Sequence, residues 1–293
     1  MLTVDAAATD YIASLQGRHA PVATVKAYAS DLRRFATGVP SELTAVDAAA
    51  VRAFLDGEQD RSPATRRRRH ATLCSFFRWL VQQELVDVNP MLRVASVETV
   101  SRLPRPLAAD TVRAVLQRIP PGATRDRALF TLLYETGVRV GEALGLQRSD
   151  VDLATDDEKV RVLGKGGRER TVLLTAAPES VRLLRRHLRV SRIASGSVFR
   201  GDPRYGGSNL PLGYTTVRVA WLRYCAEAGV TATIHQLRHS RASELVRAGV
   251  PLATVRKLLG HRNIQSTLLY AEVDQATVKR DLLEYQRRQA ILR

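Results

Sequence analysis

Residues 234–273 read IHQLRHSRASELVRAGVPLATVRKLLGHRNIQSTLLYAEV. Their apolar spacing predicts three helical segments, near 235–248, 251–260 and 264–270. His235 and Arg238 lie three residues apart, so on a helix they share a face about one turn apart. Gly260 is suited to end the second helix in the left-handed conformation, which places His261 in a tight corner before the helix that carries Tyr270. Upstream, TGVRVGEALGL (136–146) repeats the three-residue relation with Arg139 and Glu142, so that the carboxylate can orient the guanidinium. VLGKGGRER (162–170) sets Lys165 in a glycine-flanked turn from which a long side chain can swing inward.

Composition bounds the setting. A chain of 293 residues exceeds one usual core, so two domains are expected. No run of about 18 apolar residues exists, so no membrane span is predicted, and no basic amphipathic helix with exposed aromatics points to a membrane surface as partner. MLTVDAAATDYIASL lacks the charged and apolar regions of a signal peptide. Cys74 and Cys225 are therefore expected as buried, reduced thiols of a cytoplasmic, nucleoid-associated protein. The net charge is +16, and it is unevenly placed. Residues 1–100 hold 12 basic and 11 acidic side chains, whereas 101–293 hold 33 and 18. An excess confined to one part suggests a face built against a polyanion, most often nucleic acid. Only five of the 45 basic residues are lysines, which makes Lys165 worth inspecting, although a coding bias toward arginine explains the ratio equally well.

The pattern from residue 1 to about 90 is helical throughout, with stripes Tyr11/Ile12/Leu15, Val25/Tyr28/Leu32/Phe35, Val51/Phe54/Leu55 and Leu73/Phe76/Phe77/Leu80/Val81. Four helices of this kind make a small bundle. Arg66, Arg67, Arg68 and Arg69 begin the last helix, where positive charge opposes the helix dipole. They read either as a solvated basic turn or as a helix start that grips phosphate. Residues 91–106, with two prolines and no helical stripe, read as an interdomain linker. Beyond it, 107–293 forms a second domain. Asp110 is expected to cap its first helix, and Gly137 to end a buried one. Val160 and Val162, then Thr171 to Leu174, alternate like two short strands joined at 164–167. Helices are expected over 178–190, 214–228 and 276–290. The fold class is mainly α: an N-terminal helical bundle, then a mostly helical domain with a small antiparallel sheet.

Taken singly, an arginine is usually a surface charge and a histidine or tyrosine usually packs without a role. Taken together, two arginines, one lysine, two histidines and a tyrosine supply what is needed to bind a phosphodiester, attack it and protonate the leaving oxygen. No metal or other cofactor is required. That points to DNA strand cleavage through a tyrosyl–phosphate bond.

These segments resemble the tyrosine recombinase (phage integrase) family, and within it the short Xer-type site-specific recombinases. TGVRVGEALGL resembles the family's first arginine box, and 234–273 the second box through the nucleophile. VLGKGGRERTVLL resembles its β-hairpin with a catalytic lysine, and TRRRRHATLCSFFRWLVQQELVDVNP (65–90) the end of its SAM-like core-binding domain. The resemblance spans nearly the whole chain and implies two domains that clamp DNA. It implies Tyr270 as nucleophile forming a 3′-phosphotyrosine, with Arg139, Arg238 and His261 on the phosphate oxygens, His235 as general base and Lys165 as general acid. Glu142 supports Arg139; Arg241 and Arg262 join Arg66–Arg69 as expected DNA contacts. It further implies a double-stranded recombination site as partner, and a homo-tetramer or a heterotetramer with a paralogue. The helix 276–290, with Val278, Leu282 and Tyr285 on one stripe, either caps its own chain or docks in trans. The work done on DNA is integration or excision of a mobile element, or resolution of DNA dimers. A catalytically silent DNA-binding regulator and a type IB topoisomerase-like relaxation enzyme are the alternatives. Arg241-Ala242-Ser243 departs from the aromatic-Ala-Thr that the family commonly carries after LRHS.

Overall fold

The computed structural model describes residues 1–96, 106–164, 167–201 and 210–260, and Leu283. The chain divides into two compact units, Met1–Arg102 and Leu103–Arg293.

The first unit contains α1 (Val4–Gly17), α2 (Val22–Ala36), α3 (Ala48–Asp56) and α4 (Pro63–Gln82), the four helices expected from the stripes. Three starts are fixed by side-chain caps. Thr3 accepts from the Ala6 amide at 3.2 Å, Asp47 from Ala50 at 2.8 Å and Ser62 from Thr65 at 3.3 Å. Pro63 then takes the first helical position, where its missing N–H costs nothing. Leu73, Phe76, Phe77 and Leu80 form the buried face of α4. Phe35 meets Phe54 and Phe77 edge-on, with ring centres 5.1 and 5.9 Å apart. Pro90–Arg93, at the start of the stretch read as linker, instead forms a 3₁₀ turn that sinks Met91 into this core. Asn89 holds it by accepting from the Met91 amide at 2.9 Å, a local cap that carries no helical stripe to be read.

The second unit is built on α6 (Thr124–Thr136), whose Ala128, Leu129, Phe130, Leu132 and Leu133 are all buried. From Ala128 to Leu133 every residue is buried, so this stretch of the helix runs through the core. Around it stand α5 (Ala109–Arg118), α7 (Val140–Leu144), α8 (Pro178–Val190), α9 (Tyr214–Glu227), α10 (Ile234–Arg247) and α11 (Leu252–Leu259). Phe130 packs on Trp221 with ring centres 5.1 Å apart. The sheet is antiparallel, in the order β1 (Val151–Asp152), β2 (Lys159–Leu163), β3 (Glu169–Leu173). Its register pairs Val160 with Val172 and Val162 with Arg170. The hairpin is the one expected; β1, two residues long, is too short to show alternation. Asp110 does not cap α5. The helix begins two residues earlier, at Ala109 behind Ala108, and Asp110 sits in the first turn, accepting from Arg113 at 2.6 Å. Gly137 ends α6 at φ +65° and Gly260 ends α11 at φ +66°, both left-handed as expected. Of the two thiols Cys225 is buried and Cys74 half-buried; both are free.

Candidate active site

Arg139 stands at the N-cap of α7, and Glu142 reaches back over it. The Arg139 amide donates to Glu142 Oε2 at 3.0 Å and Arg139 Nη1 donates to Oε1 at 2.9 Å. The carboxylate is buried, while the arginine side chain is 42 % exposed. One end of the guanidinium is thus fixed and the residue stays accessible. Arg238, on α10, is itself buried. Its Nη1 donates to the carbonyl of Gly137 at 2.6 Å and its Nη2 to that of Leu259 at 2.7 Å. Two carbonyls from separate elements set the plane of the fork, a geometry that lysine does not reproduce.

A third arginine completes the arrangement. Arg170, on β3, donates from Nη2 to Glu142 Oε2 at 2.9 Å and to the Leu259 carbonyl at 3.2 Å. A closed ring results: Arg139 to Glu142, Glu142 to Arg170, Arg170 to Leu259, Leu259 to Arg238, Arg238 to Gly137, and two residues along the chain back to Arg139. Arg170 is absent from the set read from sequence. The available signal was strand parity, because Arg170 shares a face of β3 with buried Val172 and pairs across from buried Val162.

His235 opens the first turn of α10, whose start is fixed by the Thr233 amide donating to Gln236 Oε1 at 2.8 Å. It lies at the rim, still reached by solvent. Desolvation, then the positive charges of Arg238 and Arg139, hold its pKa below that of an ordinary histidine. It is therefore neutral at pH 7 and able to accept a proton. His239 meets it edge-on with ring centres 4.5 Å apart. Burial and the neighbouring His235 and Arg238 push the His239 pKa down to about 4. Gly164 lies beside the same group: a Cβ built on it would sit 3.7 Å from Glu142 Oε1. The hairpin thus brings the residue before Lys165 against the Arg139–Glu142 pair. Lys165 itself, with His261, Arg262, Tyr270 and all of the helix expected at 276–290 except Leu283, lies outside the described residues. Among the described residues no group of three or more His, Cys, Asp and Glu is placed to hold a metal.

The basic run of α4 is partly engaged within its own unit. Arg68 forks onto Asp31, with Nη2 to Oδ1 at 2.7 Å and Nε to Oδ2 at 3.0 Å. Arg69 pairs with Asp31 and Glu58, and both carboxylates are buried. The anionic partner that this helix start calls for is thus supplied internally at Arg68 and Arg69. Arg66 is half-buried and Arg67 exposed. Arg241 donates to the Ala176 carbonyl at 3.2 Å and lies 3.8 Å from Glu244, which accepts from Tyr134 at 2.5 Å. No helix among the described residues is long and apolar enough to cross a membrane.

Comparison with known proteins agrees with this arrangement. The sequence pattern of the phage integrase family matches residues 105–277, and that of the phage integrase N-terminal SAM-like domain matches 9–84. The tyrosine recombinase XerC of Rhodospirillum centenum is 35 % identical over 276 residues, covering 88 % of this chain and 79 % of its own. The tyrosine recombinase XerD of Lacticaseibacillus casei is 31 % identical, covering 78 % of each. In fold, the chain is similar to the XerH site-specific recombinase bound to a palindromic difH substrate after cleavage. That match has a TM-score of 0.74 at 22 % identity and covers 92 % of this chain and 82 % of the other. A lambda integrase dimer bound to a COC′ core site superposes at TM-score 0.73 and 20 % identity, covering 89 % and 96 %. With both arginine boxes closed into one hydrogen-bonded ring and matches running through both units, the chain belongs to the phage integrase family and is a tyrosine-type site-specific DNA recombinase.

Proposed function

We propose that Tyr270 attacks the scissile phosphate of a double-stranded recombination site, forming a 3′-phosphotyrosine and releasing a 5′-hydroxyl. A free tyrosine titrates near pH 10, so it needs a base, and neutral His235 fills that role. Arg139 and Arg238 bind the non-bridging oxygens and stabilise the charge that grows in the pentacoordinate transition state. His261 adds a hydrogen bond to those oxygens, and Lys165 protonates the departing 5′ oxygen. Because the phosphotyrosine keeps the phosphoester linkage, a second 5′-hydroxyl can reverse the step on another strand without ATP or a metal. The observation that carries the reading is the ring that holds Arg139 and Arg238 together, with His235 one turn from Arg238.

The division of labour follows the two units. Residues 1–90 bind DNA, with Arg66 and Arg67 as phosphate contacts beside the internally paired Arg68 and Arg69, and 107–293 perform the chemistry. Arg262 contacts DNA from the catalytic side, and Arg241 acts through packing or contact. One solved relative is a lambda integrase tetramer bound to a Holliday junction, which supports a tetramer for this chain, its helix 276–290 docking in trans. A homo-tetramer and a heterotetramer with a paralogue both fit, as do mobile-element transfer and dimer resolution. The decisive experiment is covalent trapping on a nicked suicide duplex. The wild type forms an adduct and Tyr270→Phe binds DNA without forming one; an adduct from Tyr270→Phe would sink the assignment.

A further inference from the structure

Arg170 occupies a position that strand geometry reserves for an apolar side chain. It faces the core side of β3, and its side chain is only 19 % exposed. Burying a cation costs several kcal/mol unless it is well paired, yet its pairing is incomplete. Only Nη2 has partners, Glu142 and Leu259. Nε and Nη1 are buried with no hydrogen-bond partner among the described residues. Burial lowers its pKa most, Glu142 opposes that shift, and nearby Arg139 adds to it. A methionine or leucine would fill this slot more cheaply.

The guanidinium joins three parts of the site. Through Glu142 it touches the group that sets Arg139. Through the Leu259 carbonyl it shares the anchor of Arg238. It also underlies the corner after α11: a Cβ on Gly260 would sit 2.4 Å from Arg170 Nε, so the left-handed glycine is what lets the backbone close over the arginine. The next residue in the sequence is His261.

We infer that Arg170 is a positioning residue for strand cleavage, holding the two phosphate-binding arginines and the Gly260 corner in one register. It acts through Glu142 and Leu259, not by touching the phosphate, since its free N–H groups are buried. The inference rests on the roles proposed above for Arg139, Arg238 and Tyr270.

The test uses the full chain and a suicide duplex carrying the site recovered by sequencing DNA trapped on the wild-type protein. The scissile phosphate is made as the Rp or the Sp phosphorothioate, and the amplitude of covalent adduct counts active sites. A purely structural role would lower the active fraction and scale both isomers alike. Positioning predicts that Arg170→Met cleaves about 10–100-fold more slowly per active site, with the Rp-to-Sp rate ratio shifted and DNA affinity nearly unchanged. Arg170→Lys keeps the charge but loses the fork, so it folds yet shows the same shifted ratio; it carries the test if Arg170→Met does not fold. Wild-type rates per site with an unshifted ratio in both variants, or in Arg170→Lys alone, overturn the inference. Absence of any adduct from the wild type would instead overturn the assignment of Tyr270 beneath it.

Discussion

Glu142→Gln removes one charge and replaces one of two acceptor oxygens with a donor at the centre of the ring. The carboxylate accepts three bonds, two from Arg139 and one from Arg170, all between 2.9 and 3.0 Å. Glutamine offers one oxygen, so whichever way the amide turns, an NH₂ faces an arginine N–H. At least one charge-assisted bond, about 1.5–3 kcal/mol, is lost; a guanidinium bond that remains keeps its charged donor but loses the charged acceptor, and a bond from the Arg139 amide falls to about 0.5–1.5 kcal/mol. Arg139 is 42 % exposed, so its share is screened by solvent and belongs at the low end. The expected cost is about 2–3 kcal/mol, which in a unit of this size lowers the melting transition by about 4–12 °C. Calorimetry of the full chain reads that shift. Adduct formation on the suicide duplex should slow by about 10–100-fold, the usual loss when a group orienting a reactive residue is removed. A melting transition that does not move, together with an unchanged adduct rate, would refute the view that Glu142 organises both arginines.

Gly137→Ala should destabilise the second unit by about 1–3 kcal/mol in urea denaturation, because left-handed backbone disfavours a side chain. The added Cβ would also lie 2.6 Å from Leu259 Cδ2, and an unshifted midpoint would contradict this. With the His239 pKa lowered to about 4, the unfolded chain binds more protons below pH ~6.5. This stability is therefore complete above that value and lost as pH falls toward 4. Going from pH 7 to 5 should cost at most about 2 kcal/mol, less where solvent screens the ring. His239→Asn should flatten that part of the profile, and a slope that persists would exclude the residue. Arg69→Ala takes one partner each from buried Asp31 and Glu58, which keep Arg68 and Arg34, so bundle stability should fall by about 1–3 kcal/mol. Arg67→Ala should reduce the salt slope of DNA binding by about 0.9; an unchanged slope would remove it from the phosphate contacts.

Local rules made much of the architecture legible. Apolar periods gave the helices of both units, glycines marked the ends of α6 and α11, and alternation gave the hairpin. Arg139, Glu142, His235 and Arg238 could be found because each lies within one turn of its partner, a separation that sequence displays directly. Arg170 could not be found in that way. Its partners are 28 residues away at Glu142 and 89 away at Leu259, and one of them is a backbone carbonyl with no side-chain identity to read. The same blindness applies to Arg68 and Arg69: a run of four arginines looks like one surface, and only folding reveals that Asp31, from α2, faces two of them. Three guanidiniums and one carboxylate leave the ring with a surplus of two positive charges, held by hydrogen bonds that fix the groups before DNA arrives. A phosphodiester carries one negative charge and the pentacoordinate transition state two. A rigid surplus of two is therefore matched better to the transition state than to the ground state, which is the condition for accelerating the chemical step instead of merely tightening binding.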